Sequence, residues 1–388
     1  MENKNKVLFC ATVDYHFKLF HLPTMEWFSK RGWEVHVAAH GELELPFVHQ
    51  KRDFPIQRSP FQLNNIRAYR MLKAWIDSEN YQLIHCHTPM GGVLARLAAR
   101  HARMRGTKVV YTAHGFHFFK GAPLPNWLIY YPIEKQLAKL TDCLITINSE
   151  DYRLAVDRGF RAGQIAHVHG VGVHTGRFSP INDEEKRRRR ARFHYRPEHF
   201  LLVYAAEFNR NKNHELLLHS LARLKEKAPM TRLLLAGRGP LLSRCRLLAQ
   251  ELGVSHMVSF LGYRDDLDQL LPMCDAAVSS SLREGLPVNI MEAMACGLPI
   301  VATRNRGHEE LVEEGGNGFL VSPTDASAMA QRLGMLHAFP SIRLEMGENS
   351  KQRVESYSSH CVQEELRLKY DEIIEASGEE VKGLQWEA

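Results

Sequence analysis

The sequence predicts an α/β protein with two doubly wound parallel sheets joined by a single hinge. Short apolar or β-branched runs alternate with longer stretches of helical period, and this alternation pauses once, at residues 170–173, which include two glycines. The chain of 388 residues is also long enough for two domains. We therefore expect two Rossmann-like domains facing a cleft, with ligands beyond the carboxyl ends of the strands.

The predicted elements follow the same order in both halves of the chain. In the first half, we expect strands at 7–11, 35–39, 83–87, 108–112, 143–147 and 165–168, and helices at 17–31, 66–79, 93–104 and 128–140. In the second half, we expect strands at 201–206, 233–236, 258–261, 276–279 and 300–302, and an almost wholly helical region from residue 326 onward. Strands that alternate with helices are typical of parallel sheets.

Composition argues against a membrane-spanning or secreted protein. No apolar stretch approaches the ~18 residues that a spanning helix needs, and Asp14 interrupts the apolar run at 7–13 before it could act as a signal peptide. The seven cysteines are scattered and contain no C-x-x-C pair, which argues against a disulfide framework or a zinc knuckle. We expect a cytoplasmic location.

Positive charge is concentrated in the first half of the chain. Residues 1–170 contain 22 Lys and Arg against 14 Asp and Glu, whereas residues 171–388 contain 28 against 30. A basic surface of this kind favours an anionic partner, which could be a membrane surface, a phosphorylated substrate or nucleic acid. Charge alone does not distinguish these partners.

Two motifs have an obvious interpretation that we do not favour. The basic run at 186–192 resembles a nucleic-acid-binding segment, but glutamates four residues before its arginines favour a solvated helix with ion pairs. His85 and His87 resemble a metal-binding pair on one face of a strand. No third ligand with suitable spacing follows them, so we favour buried histidines at the end of a strand.

The segment at 283–303 is the most informative part of the sequence. A predicted strand ends at residue 279, a polar loop follows, and Pro287 suits the first position of a helix. The next backbone N–H groups, those of Val288 and Asn289, would then form an anion site that the helix dipole reinforces.

Two carboxylates and two cations are candidates for contacts with one ligand. Glu284 and Glu292 would flank the helix start and can accept hydrogen bonds from the hydroxyl groups of a sugar nucleotide, although glutamates there also stabilise a helix by themselves. Arg210 and Lys212 leave the carboxyl end of another predicted strand, where cations can bind a diphosphate. Glycine-containing turns after the next two strands would let the backbone approach the same ligand.

Together these segments resemble the retaining glycosyltransferases of family 4, which have the GT-B fold, and the resemblance covers essentially the whole chain. It implies that Glu284 binds the donor sugar, that Glu292 binds the ribose hydroxyls, and that Lys212 binds the diphosphate. The family often has arginine where this chain has Glu207, and Arg210 is the candidate for a substitute cation. The other donor-binding residues that the resemblance implies are Gly237, Gly262, Tyr263, Gly285, Leu286, Pro287, Val288 and Asn289.

The first half of the chain looks like the exopolysaccharide and capsule-assembly branch of this family. The similar segments are 11–17, 85–89 and 111–119. Bacterial members of the branch typically extend a sugar carried on polyprenyl diphosphate. The resemblance implies that His114 is catalytic and hydrogen-bonds to the donor sugar. It also implies donor contacts from the first βα loop, made by Asp14, Tyr15 and His16.

The residues present favour a reaction without a covalent intermediate. A glycosyl-enzyme intermediate needs a carboxylate nucleophile at the anomeric carbon, and the sequence contains no evident candidate. The resemblance implies front-face displacement, in which the departing diphosphate helps to accept the acceptor's proton. The negative charge of the departing diphosphate would be stabilised by Arg210, Lys212 and the helix start. We therefore expect no metal ion and no cofactor.

We therefore expect a retaining hexosyltransferase that uses a nucleotide sugar, by family habit a UDP-sugar, and a lipid-linked saccharide acceptor. Residues 1–170 would bind the acceptor, 171–356 would bind the donor, and 357–388 would form a helix packing back toward the first domain, with a tail. The segment at 116–131 combines six aromatic residues with Lys120 and predicts peripheral binding to the anionic inner face of the plasma membrane, unless its aromatics fill the core.

Three alternatives remain open. The same fold supports nucleotide-sugar epimerases, which need only one substrate. The chain could also be a non-catalytic, nucleotide-sugar-binding scaffold of a polysaccharide assembly complex, in which Glu207 marks lost activity. A nucleic-acid binder rests on the basic run alone, and we expect no nucleic-acid partner. Donor hydrolysis or transfer by the purified protein distinguishes an enzyme from a scaffold.

Overall fold

The computed structural model describes residues 4–384, with side chains up to residue 375. The chain divides into two compact units. Unit 1 holds the residues up to Val171 and those from Val362 onward, and unit 2 holds Gly172–Cys361. Within the described range, no helix is both long enough and apolar enough to cross a lipid bilayer.

Unit 1 is built on a parallel sheet with the strand order β3-β2-β1-β4-β5-β6-β7. Its strands are β1 (Lys6–Val13), β2 (Glu34–His40), β3 (Gln50–Asp53), β4 (Leu83–His87), β5 (Lys108–Ala113), β6 (Cys143–Thr146) and β7 (Gln164–His167). Its helices are α1 (Tyr15–Phe20), α2 (Leu22–Lys30), α3 (Asn64–Ser78), α4 (Pro89–Ala98), α5 (Arg100–Arg103), α6 (Leu124–Leu137) and α7 (Ser149–Asp157). Leu8 and Cys10 of β1 enter one apolar cluster and Val7 and Phe9 enter another, so both faces of the sheet are covered.

Unit 2 repeats this design with the order β10-β9-β8-β11-β12-β13. Its strands are β8 (Phe200–Ala205), β9 (Thr231–Ala236), β10 (Val258–Gly262), β11 (Ala276–Ser279), β12 (Ile300–Thr303) and β13 (Gly318–Val321). Its helices are α8 (Asp183–Arg192), α9 (His214–Leu224), α10 (Leu242–Glu251), α11 (Leu267–Leu270), α12 (Val288–Ala295), α13 (Arg306–Leu311), α14 (Ala326–Ala338) and α15 (Pro340–Val354). All strand pairs in both sheets are parallel, so the prediction of two doubly wound parallel sheets is confirmed.

The last helix, α16 (Ser359–Leu384), completes the core of unit 1. Val362, Leu366, Tyr370 and Ile373 recur at helical spacing and pack into the apolar cluster that contains Phe9. The hydroxyl group of Tyr370 lies 2.6 Å from Nδ1 of His85, which is also buried. Unit 1 is therefore assembled from two distant parts of the chain.

Several local features differ from the sequence-based expectations. The helix predicted at 93–104 begins earlier, at Pro89, and is interrupted at Ala99 between α4 and α5. The predicted helix at 17–31 is broken at His21 into α1 and α2, and Pro23 lies in the first turn of the second helix, where proline is tolerated. The edge strands β3 and β13 were not expected. Strand β3 has the sequence Gln-Lys-Arg-Asp, which lacks the apolar pattern of a buried strand, because its position at the edge leaves it partly solvated.

The basic run forms helix α8, as expected, but one of its arginines is buried. Glu185 pairs with Arg188 and Arg189 on the surface. Arg190 is only 6% exposed, and its Nη2 lies 2.7 Å from Oδ2 of Asp275. The expectation of a wholly solvated helix is therefore wrong at this position, because Asp275 and nearby carbonyl groups pair the buried guanidinium.

We expect Gly92→Ala to destabilise unit 1, although alanine favours a helix over glycine. A Cβ atom at residue 92, in the first turn of α4, would lie 2.4 Å from Cε2 of Tyr111. That ring is buried beneath the guanidinium of Arg96, 3.8 Å from its centroid, so it has little room to move. Overpacking of this kind costs about 1–3 kcal/mol of unfolding free energy, measurable by urea denaturation.

Gly334→Ala in α14 is the matched control. Its Cβ atom would make only an ordinary contact, 3.4 Å from Leu224, so we expect unchanged or higher stability. Equal stability changes in the two variants would contradict the packing argument.

Candidate functional site

The clearest polar cluster of unit 2 lies where β8 and β11 end. Lys212 follows β8 and Glu284 follows β11, and Nζ of Lys212 lies 2.5 Å from Oε1 of Glu284. The two side chains are only 21% and 14% exposed, so each charge depends on the other for compensation. The structure thus brings together two of the residues that the sequence predicts as catalytic.

Hydrogen bonds between the two loops fix the position of this pair. The side-chain amide of Asn211 donates to the carbonyl oxygen of Arg283 at 2.9 Å. The hydroxyl group of Ser280 donates to the carbonyl oxygen of Lys212 at 2.7 Å. Because both loops are held by such bonds, Lys212 and Glu284 are positioned before any ligand binds.

Helix α12 begins a few residues after Glu284. Pro287 precedes its first turn and the helix starts at Val288, one residue later than the sequence predicts. No side chain within the described residues caps this N-terminus, which leaves backbone N–H groups there for an anion. The side-chain amide of Asn289 donates to the carbonyl oxygen of Ala205 at 3.1 Å and so fixes the helix start to the end of β8.

Glu292 lies in the second turn of α12 and is mostly buried. Burial raises the pKa of its carboxyl group to about 7, with Arg177 acting against this rise and Asp268 adding to it. Arg177 and Asp268 pair with each other, at 2.9 Å between Nη2 and Oδ1. A ligand that donates hydrogen bonds to Glu292 would favour its charged form.

Glycines bring backbone segments close together at the same edge of the sheet. A Cβ atom on Gly237 would lie 2.0 Å from the carbonyl oxygen of Ala206. The backbone N–H of Gly237 donates to the carbonyl oxygen of Gly262, which has a φ of 70°. Tyr263 follows with 69% of its surface exposed. The glycine at 237 thus permits a close backbone contact, and the approach of these turns to a ligand stays a prediction.

The connection between β12 and α13 contributes residues that sequence analysis missed. Nε of Arg306 donates to the carbonyl oxygen of Glu284 at 3.2 Å, and a Cβ atom on Gly307 would lie 2.8 Å from Cβ of Glu284. His308 is fully buried, and within the described chain its Nε2 has no hydrogen-bond partner. The sequence signal that could have identified this contact is Gly307, shortly after the strand predicted at 300–302, because a glycine there lets the backbone approach its neighbour closely.

Arg210 is not brought to the Lys212–Glu284 pair. It is exposed and lines a separate polar cavity of about 460 Å³ with Glu215 and Arg244. Arg210 and Lys212 belong to one 3-10 turn, in which side chains two residues apart project about 120° from each other around the axis. This geometry explains why the two cations have different surroundings.

The structure places Asp14 in the first βα loop of unit 1, whereas Tyr15 and His16 lie in the first turn of α1. Asp14 is buried, and its Oδ2 accepts hydrogen bonds from the backbone N–H of Leu43 and from Nζ of Lys51, each at 2.8 Å. Its carboxylate therefore fixes the loop after β2. Tyr15 is 43% exposed and its hydroxyl group accepts a hydrogen bond from Arg58.

His16 and His114 meet at the carboxyl ends of β1 and β5. Their ring centroids are 4.8 Å apart and their planes are nearly perpendicular. Burial lowers the pKa of His16 to about 4 and holds the pKa of His114 well below its usual value. Both rings are therefore uncharged at neutral pH, and His114 can donate a hydrogen bond from one ring nitrogen.

The same end of unit 1 contains an apolar cavity of about 780 Å³. Its walls include Ile66 of α3, Leu94 of α4 and Ile133 of α6, and Arg58 and Glu134 add charged groups. An apolar cavity of this size with a few polar groups is typical of a binding site for a small or extended ligand.

The aromatic segment beside this cavity is only partly exposed. Phe116 and Phe118 are buried in the core at 3% and 0% exposure, so the membrane contact predicted for the aromatics of the segment at 116–131 is wrong for these two rings. The exposed apolar residues nearby are Leu124 and Leu128 of α6, at 69% and 67% exposure. Lys120 is exposed. Sequence alone could not separate the buried aromatics from the exposed leucines.

Comparisons with known proteins identify similar sequences and folds along nearly the whole chain. Residues 24–177 match the family "Glycosyltransferase Family 4", and residues 185–353 match "Glycosyl transferases group 1". A putative glycosyltransferase EpsD of Bacillus subtilis (strain 168) is 50% identical over 361 residues, which cover 93% of this chain and 95% of the relative.

A more distant relative is named for its substrates. The UDP-Gal:alpha-D-GlcNAc-diphosphoundecaprenol alpha-1,3-galactosyltransferase of Escherichia coli is 27% identical over 271 residues, which cover 69% of this chain and 68% of the relative. Among solved structures, Anabaena Alr3699/HepE in complex with UDP and glucose has a TM-score of 0.78 at 19% identity, covering 95% of this chain and 100% of that chain. This last similarity is one of fold.

We expect ionisation of Glu292 to reduce the stability of unit 2. The carboxyl pKa is about 7 in the folded protein, against an ordinary value of 4.5. Between these values the folded protein binds the proton more tightly than the unfolded chain, so stability falls as the pH rises from about 4.5 to about 7. Glu292→Gln has no carboxyl group to ionise and therefore does not lose stability in this way. The unfolding free energy of the variant minus that of wild type should be about 2 kcal/mol larger at pH 8 than at pH 5.

Denaturant unfolding of both proteins at the two pH values measures this difference. Glu251→Gln, at an exposed position on α10, serves as the control for the loss of a glutamate carboxyl group from the surface of the same unit. A Glu292→Gln effect that does not depend on pH would show that the carboxyl group has an ordinary pKa.

Proposed function

The chain belongs to the GT-B glycosyltransferases, and we propose that it transfers a sugar with retention from a UDP-sugar to a saccharide carried on polyprenyl diphosphate. The family matches and the 50% identical relative support glycosyl transfer. The complex of HepE with UDP supports the nucleotide, and the name of the Escherichia coli relative supports a lipid-linked acceptor. The sequence motifs of unit 1 support a place in exopolysaccharide or capsule synthesis.

The observation that carries the donor half of the proposal is the partly buried Lys212–Glu284 pair beside the start of α12. Lys212 offers a cation to the diphosphate, and Glu284 accepts hydrogen bonds from the hydroxyl groups of the sugar. The backbone N–H groups at the start of α12 add donors for the phosphate. Glu292 accepts hydrogen bonds from the ribose, which would favour its charged form.

Departure of the diphosphate creates negative charge that the protein must stabilise. Lys212 and the start of α12 do this in the proposed mechanism, so the leaving group needs no divalent ion. The departing diphosphate accepts the acceptor's proton as the acceptor oxygen attacks the same face of the sugar. His114, uncharged because of burial, donates a hydrogen bond to the donor sugar.

The acceptor half of the proposal rests on the apolar cavity of unit 1. A volume of about 780 Å³ with apolar walls suits part of an isoprenoid chain, and Arg58 provides a cation for its diphosphate. Leu124 and Leu128 extend the apolar surface outside the cavity. We propose that this surface and the basic charge of the first half bind the protein to the inner face of the plasma membrane.

Purified protein tests the activity directly. UDP-sugars are screened for release of UDP with and without a polyprenyl-diphosphate-linked saccharide, and the anomeric configuration of the product is read by NMR. Acceptor-dependent release with an α product from an α-linked donor supports the proposal. UDP binding without turnover of any donor would favour the scaffold alternative instead.

Lys212→Ala should nearly abolish transfer in protein that still folds, although loss of the partner of Glu284 lowers the stability of unit 2. A charge-assisted hydrogen bond contributes ~1.5–3 kcal/mol, and more as the diphosphate leaves, so kcat should fall at least about tenfold to a hundredfold. Lys227→Ala, at an exposed position of the same unit, is the control and should turn over at the wild-type rate. Wild-type turnover by a folded Lys212→Ala protein would refute the assignment.

We expect the protein to co-sediment with anionic vesicles at low salt more than with neutral ones, because its basic unit is attracted to anionic lipid. Replacing both Leu124 and Leu128 with Ser should reduce the pelleted fraction several-fold. The control is Leu247→Ser, which changes a similarly exposed leucine of unit 2, at 56% exposure. Equal pelleting with both vesicle types would remove the membrane proposal and leave the donor site unaffected.

A further inference from the structure

Four histidines of unit 1 converge at the carboxyl ends of three neighbouring strands. His16 follows β1 in helix α1, His21 lies between α1 and α2, His87 ends β4, and His114 follows β5. One nitrogen atom from each ring can be chosen so that all four lie within 4.8 Å of one another. Two of the separations are short: 3.1 Å between Nε2 of His16 and Nε2 of His21, and 3.3 Å between Nδ1 of His87 and Nε2 of His114.

These separations resemble those of a tetrahedral metal centre. With Zn–N bonds of about 2.0–2.1 Å, neighbouring ligand nitrogens in a tetrahedron are about 3.3–3.4 Å apart. The rings are also spread in space. Their centroids are between 4.0 Å, for His21 and His87, and 5.8 Å, for His21 and His114. The larger nitrogen–nitrogen separations, up to 4.8 Å, would have to shorten by about 1.4 Å to complete a four-nitrogen site.

His87 and its neighbour His85 differ in their hydrogen bonding. His87 is completely buried, its Nδ1 faces Nε2 of His114, and its Nε2 has no hydrogen-bond partner within the described residues, so groups outside the cluster bind neither of its ring nitrogens. The neighbouring His85 provides the contrast, because Tyr370 and Thr112 contact its two ring nitrogens at 2.6 and 2.8 Å. His85 therefore has its hydrogen bonds satisfied, whereas nitrogens of the four converging histidines face one another.

We propose that His16, His21, His87 and His114 bind one Zn²⁺ ion in unit 1. Four imidazole nitrogens in a tetrahedral arrangement suit Zn²⁺, and four protein ligands without an open position are typical of a structural site.

The ion would join the α1–α2 junction to the ends of β4 and β5. Coordination through Nε2 of His114 leaves Nδ1–H of the same ring to donate a hydrogen bond. The proposed contact of His114 with the donor sugar is therefore compatible with the metal site. The site itself does not depend on glycosyl transfer, and it belongs to a different unit from Lys212 and Glu284.

Metal binding is tested with full-length protein that carries no histidine tag and has been treated with a chelator. We expect one Zn²⁺ per chain by calorimetry and elemental analysis, together with a higher Tm after Zn²⁺ is added. Co²⁺ should give the intense visible absorption of tetrahedral coordination, which excess Zn²⁺ removes. A Zn²⁺ content well below one per chain, or the weak spectrum of octahedral Co²⁺, would overturn the proposal. Neither measurement depends on glycosyl transfer, so this outcome would leave the proposed activity untouched.

Variants identify the ligands. His21→Gln and His87→Gln should each weaken Zn²⁺ binding at least tenfold. Loss of a residue that only hydrogen-bonds to a metal ligand already lowers metal affinity by about tenfold or more, and loss of a ligand itself should lower it further. His101→Gln, at an exposed position on α5, should bind Zn²⁺ like wild type. Circular dichroism establishes whether each variant is folded, and His16→Gln, at the more exposed rim, replaces any variant that is not. Unchanged Zn²⁺ binding in the folded cluster variants would assign the metal to other groups and refute the site.

Discussion

The contact between Lys212 and Glu284 exists because β8 and β11 are neighbours in a parallel sheet. The two residues are 72 positions apart, yet parallel pairing brings the carboxyl ends of both strands to one edge. The loops that leave these ends are then hydrogen-bonded to each other, which defines where the two side chains can lie. The same constraint acts in unit 1, where the ends of β1, β4 and β5 collect histidines from three separate segments.

A partly buried ion pair holds the charged groups of such a site in place before an anion binds, without leaving either charge uncompensated. Either charge alone would be strongly destabilising at this depth, because water is partly excluded. While the pair is intact, each group compensates the other. In the proposed function, an incoming diphosphate would supply new acceptors for Lys212 and an incoming sugar would supply hydroxyl donors for Glu284. Each partner would then exchange one interaction for another without being left uncompensated.

The sequence predicted the buried elements better than the edges and the long-range contacts. Strands at 83–87 and 276–279 were placed at their observed bounds, because apolar runs identify strands buried on both faces. Strand β3 was missed since its side chains are polar. Glu284 and Lys212 were found through local motifs. The histidines at 16, 21, 87 and 114 were not recognised as a group, because their spacing has no period and only the folded sheet brings them together.

The return of α16 to unit 1 has a consequence for synthesis on the ribosome. Leu366, Tyr370 and Ile373 belong to the core around Phe9, but they are translated after the whole of unit 2. Unit 2 is continuous in sequence and can fold as soon as it emerges, whereas one face of the earlier sheet still lacks its cover. Trp27 and Phe28 of α2, whose rings contact Tyr370 in the folded protein, therefore lack this partner while unit 2 is synthesised, and premature termination before α16 would leave a nascent chain prone to aggregation.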